Sequence, residues 1–156
     1  EQLLDCQSQI LGLDATFEGY EAGTRAGELA GVERVRRKLS DDDQFLRRFG
    51  KPERLLACEC ERSDQPTLGQ ALTLVGSESL HRRLRDEDNR IGQWMAQGME
   101  PQAIIDSLYW TAVSRPPTQD EVDGIMQLVA ETGDLRLVLE DLTWALLNAK
   151  ELVFRN

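Results

Sequence analysis

Apolar residues recur three and four positions apart along most of this chain, and no alternating stretch of useful length is present. Leu3, Leu4, Ile10 and Leu11 fall at helical spacing, with Gly12 placed to end the helix. The stretch 14–31 has four glycines and no sustained apolar period, so an irregular connection is predicted, anchored by Phe17 and Tyr20. "SDDDQFLRRFG" pairs a Ser40 cap with three acids, presents Phe45, Leu46 and Phe49, and stops at Gly50.

The second half is more regular. Thr67 and Gln70 stand in capping-box spacing ahead of "LGQALTLVG", and Ser77 caps "ESLHRRLR". Ile91, Trp94 and Met95 share one face. Pro101 suits a first helical turn before Ile104, Ile105, Leu108 and Ala112, and Pro116 and Pro117 stop that helix. Thr118 with Glu121 forms a second capping box, followed by Val122, Ile125, Met126 and Val129 up to Gly133. A last helix from Leu135 carries Val138, Leu139, Leu142, Ala145, Leu146 and Ala149. The predicted class is all-α: one compact domain over 1–156 with about seven helices, the last three packing as antiparallel neighbours. Trp94, Trp110 and Trp144 are expected to anchor the core.

Composition adds limits. With 156 residues the chain can bury a real core without metals or disulfides. A net charge of −10 disfavours nucleic acid as a partner. The charge is uneven: residues 32–62 hold nine Lys/Arg against seven Asp/Glu, and residues 101–156 hold four against nine. The basic run Arg34 to Lys38 reads as a solvated helix face. No apolar run approaches the roughly 20 residues that cross a bilayer. The chain opens at Glu1 inside a predicted helix, without an initiator methionine, and is expected to be the C-terminal part of a longer protein.

Candidate chemistry concentrates in "LACECERSD", where Cys58, Glu59, Cys60, Glu61 and Arg62 follow one another. On a helix the two thiols would lie about 200° apart and share no ligand; on an extended backbone they would share a face about 7 Å apart. A disulfide between positions two apart would be strained. Cys6, Cys58, Cys60 and His81 match no standard zinc spacing, so no metal centre is predicted from them. His81 is the single histidine, and its helix offers no nucleophile motif beside it. "RDEDNR" lacks the glycine and glutamate of a calcium loop. The plainest reading makes the cysteines small buried hydrophobes beside Glu–Arg ion pairs. A thiol redox or metal module is the alternative, and paired carboxylates such as Glu59 and Glu61 rank below it.

"FLRRFGKPERLLACECERSDQPTLGQALTLVGSESLHRRL" resembles the signature stretch of the planctomycete-specific C-terminal domain family, domain of unknown function 1553. "GTRAGEL", "LYWTAVSRPPTQDEV" and "LTWALLNAKELVFRN" are similar to that family as well, so the likeness spans essentially the whole chain. The resemblance implies an accessory domain closing a large, exported, cytochrome-linked bacterial protein of the periplasm or cell envelope, with the upstream domains of the same chain as partners. It implies no cofactor in this segment, because no Cys-x-x-Cys-His haem-attachment motif is present. It carries no catalytic residues to transfer, and marks Cys58 to Arg62 as the family's recurring polar motif.

Overall fold

A computed structural model describes residues 1–17, 19–29, 40–51 and 68–153, the side chains at 71, 72, 74 and 75 excepted. Among the described residues there are nine α-helices, a 3-10 turn at Ala26–Glu28, and no strand. The protein is all-α, with more helices than the about seven expected, and a short last helix, Lys150–Val153, follows a break at Asn148. The chain divides into two compact units, Glu1–Gln9 with Asp14–His81, and Ile10–Leu13 with Arg82–Asn156.

The first unit holds most of α1 (Gln2–Leu11), together with α2 (Asp41–Arg48), α3 (Leu68–Gly76) and the start of α4 (Glu78–Arg85). Its core joins Leu4 of α1, Phe17, Ala26 and Leu29 of the glycine-rich connection, and Phe45 and Leu46 of α2. Fully burying each large apolar side chain contributes about 1.5–3 kcal/mol, which is enough to hold a segment with little regular structure. Of the two anchors predicted for that segment, Phe17 is buried and Tyr20 stays exposed. The three acids opening α2 have separate tasks. Asp42 accepts a hydrogen bond from Thr16 N–H at 2.8 Å, Asp43 N–H donates to Ser40 Oγ at 3.0 Å, and Asp41 borders a groove against α3. The predicted pairing of Gln70 with Thr67 has one member outside the described residues; Gln70 Nε2 donates to the Arg48 carbonyl at 3.1 Å.

The second unit is built on α8 (Leu135–Leu147), which packs on α5 (Arg90–Ala96), α6 (Pro101–Val113), α7 (Gln119–Thr132) and α9 (Lys150–Val153). The expected stack of consecutive neighbours is therefore modified, since α6 and α7 each meet α8 more than they meet each other. Ile104, Ile105, Leu108, Ala112, Leu139 and Leu147 are buried here. The caps follow the sequence signals. Pro101 opens α6, the Thr118–Glu121 capping box opens α7, and Gly133 closes it with a φ of 69°. Ser114 alone among the described non-glycine residues has a positive φ, 58°, and it ends α6 two residues before Pro116.

A tryptophan departs from expectation as well. Trp110 is 57% exposed, and Trp94 and Trp144 are half-buried. The inward arc of α6 is filled by Ile104, Ile105, Leu108, Tyr109 and Ala112. At 100° per residue Trp110 falls about 170° from the centre of that arc, so it cannot be a core anchor of its own unit.

Candidate functional site

The motif Cys58, Glu59, Cys60, Glu61 and Arg62 lies outside the described residues, as do Arg34 to Lys38. Of the remaining weak ligand candidates, Cys6 is a half-buried free thiol and His81 is half-buried on α4. No group of three or more His, Cys, Asp or Glu able to hold a metal occurs among the described residues. Lys51 is buried, its ammonium donating to the Ala26 carbonyl at 2.6 Å and pairing with Glu1 Oε1 at 3.1 Å. Asp5 secures the same loop by accepting from Ala26 N–H at 2.7 Å and Gly27 N–H at 3.1 Å. Lys51 is thus a structural tie between the end of α2 and the glycine-rich connection, a role that no periodicity announces.

A groove of about 550 Å³ lies between α2 and α3. Two of its polar side chains bond within its walls. Arg48 Nη1 donates to Thr73 Oγ1 at 3.1 Å, and Thr73 Oγ1 donates to the Gly69 carbonyl at 2.8 Å. The first of these bonds, with that from Gln70 Nε2 to the Arg48 carbonyl, holds α2 to α3.

The second family-like stretch, "SRPPT", is fully described. Arg115 grips Glu121 with two hydrogen bonds of 2.9 Å and reaches Glu151 at 3.1 Å, while its guanidinium lies 5.2 Å from the Tyr109 ring centre. Glu121 also accepts from Thr118 N–H at 2.7 Å, so one carboxylate both caps α7 and binds the arginine. The hydrogen bonds from Arg115, then that from Thr118, pull the Glu121 carboxyl down to about 2. The hydrogen bonds that Arg115 donates to Glu121 and Glu151 push it above its ordinary range. Burial first, and the charge of Glu121 next, raise the Tyr109 phenol. A carboxyl held this firmly ionised has no proton to give at neutral pH, so Glu121 cannot serve as a general acid. It is a clamp joining α6, α7 and α9.

No constellation for nucleophilic or acid–base chemistry assembles among the described residues. The outward face of α6 is the remaining feature, with Trp110 exposed and Asp106 one turn before it. The family model described as protein of unknown function (DUF1553) matches residues 28–129 of the chain. The chain belongs to the DUF1553 family. No curated protein and no solved structure matches it. The DUF1553 match takes in Lys51 without its partners Glu1 and Ala26, the Cys58–Arg62 motif, and the Arg115–Glu121 pair, and stops before Glu151.

Proposed function

We propose that this DUF1553 chain is a non-catalytic docking domain, closing a larger exported, cytochrome-linked bacterial protein and packing on other domains of it. The observation that carries the reading is Trp110, a large aromatic 57% exposed on a helix with apolar residues on both of its faces. Tryptophan is the side chain most enriched among energetically dominant interface residues. The resemblance of the chain to a family that follows cytochrome-type domains supports the wider setting.

Oxidative footprinting tests this. Trp110 is expected to react readily in the 156-residue chain and to be protected at least several-fold in the intact native protein. Equal reactivity in both settings would sink the docking role. Stoichiometric metal held through Cys58 and Cys60 in freshly purified protein would overturn the non-catalytic part of the reading instead.

A further inference from the structure

We infer that the outward face of α6 is a receptor for an arginine side chain of a protein partner, its guanidinium stacking on the Trp110 indole and pairing with the Asp106 carboxylate. This rests on the docking reading above and specifies its chemistry. Asp106 and Trp110 stand four residues apart, so on the helix they lie one above the other on a common face. That face is turned away from the buried arc of the unit. A carboxylate beside an indole offers the two things a guanidinium binds at once: a planar acceptor edge and a π-face within about 6 Å. The chain itself places arginine over an aromatic ring twice, Arg90 at 5.8 Å from Trp94 and Arg115 at 5.2 Å from Tyr109.

Charge selects the same partner. No lysine or arginine occurs from residue 91 to 114, where the charged residues are Glu100 and Asp106, nor anywhere in α7. The described arginines that follow are engaged internally, Arg115 with Glu121 and Glu151, and Arg136 with Glu140 at 2.6 Å. Asp106 has no ion-pair partner among the described residues. An arginine therefore meets a carboxylate without an ion-pair partner among the described residues, beside an apolar plate. Lysine would gain the charge but not the planar stacking, because its ammonium is compact and strongly hydrated.

The test uses a short helical peptide bearing arginine, with lysine and citrulline counterparts, titrated into the whole chain. Binding is followed by the indole N–H resonance of Trp110, assigned with Trp110→Phe. The arginine peptide is expected to move that resonance and leave those of Trp94 and Trp144 in place. Removing the charge at Asp106 (Asp106→Asn) is expected to weaken it about twofold to fivefold, the range of an exposed ion pair. The citrulline peptide, which keeps the shape without the charge, is expected to bind several-fold more weakly than arginine. An unmoved resonance, or equal response to arginine and citrulline, overturns the proposal. So does a shift that depends on protein concentration alone, since that identifies a second copy as the occupant. If the peptides fail while Trp110 is still protected in the intact protein, only the arginine chemistry is lost; if both fail, the docking reading goes with it.

Discussion

Asn89 shows how much one side chain can carry. It is fully buried, donates from Nδ2 to the carbonyls of Arg83 at 3.0 Å and Leu84 at 2.7 Å, and accepts from Gly92 N–H at 3.0 Å. It therefore closes α4 and opens α5 with one amide. Beside it, Gly92 admits no side chain, since a Cβ would run into the Glu87 carbonyl oxygen. As an N-cap, Asn89 is a favoured residue type, and aspartate would serve equally well in that role. The two donations could not be read, because they depend on where α4 ends in space. Asn89→Asp keeps the acceptor and turns a carboxylate toward two carbonyls. We expect it to lower unfolding stability by about 1–3 kcal/mol in urea denaturation. A neutral result would show that capping alone matters.

Between elements, the α6–α7 junction depends on the ionised form of Glu121. Its folded value of about 2 lies below the ordinary 4.5, so its stabilising contribution is present above pH 4.5 and is lost as pH falls through about 2. The urea midpoint should decline across that window, and the decline should be smaller in Glu121→Gln, whose neutral amide does not titrate. Equal acid sensitivity in both proteins would mean that other carboxylates govern it. The capping box behind this junction was legible in Thr118 and Glu121, as was the stop at Pro116 and Pro117. Neither the grip of Arg115 nor the involvement of Glu151 was, since the latter pair lies 36 positions apart. Helix faces were legible to the same degree. Ile104, Ile105, Leu108 and Ala112 are buried as their spacing predicts, but Met126 of α7 remains 39% exposed, because α8 covers only part of the face its spacing suggested.

At the scale of the whole molecule, charge is the governing quantity. The net charge of −10 and the absence of lysine and arginine from α6 and α7 set a repulsive field against polyanions. We expect no mobility shift of duplex DNA or single-stranded RNA at about 0.15 M salt, where a Debye length of about 8 Å limits local basic runs such as Arg34 to Lys38. A salt-sensitive shift under those conditions would assign that run a nucleic-acid role. No helix of the described residues is long and apolar enough to cross a membrane.

Sequence alone determined the all-α class, most caps and breaks, the acidic balance and the family, because each rests on spacing or composition within a short window. Tertiary structure decided which apolar side chains remain outside. Trp110 was expected in the core with Ile104, yet the packing of α8 and α9 against one arc of α6 buries Ile104 and leaves Trp110 outside. It also decided which charges meet: Lys51 with Glu1, and Arg115 with Glu121 and Glu151. Pairings across tens of residues depend on how helices dock, and local periodicity holds no record of that.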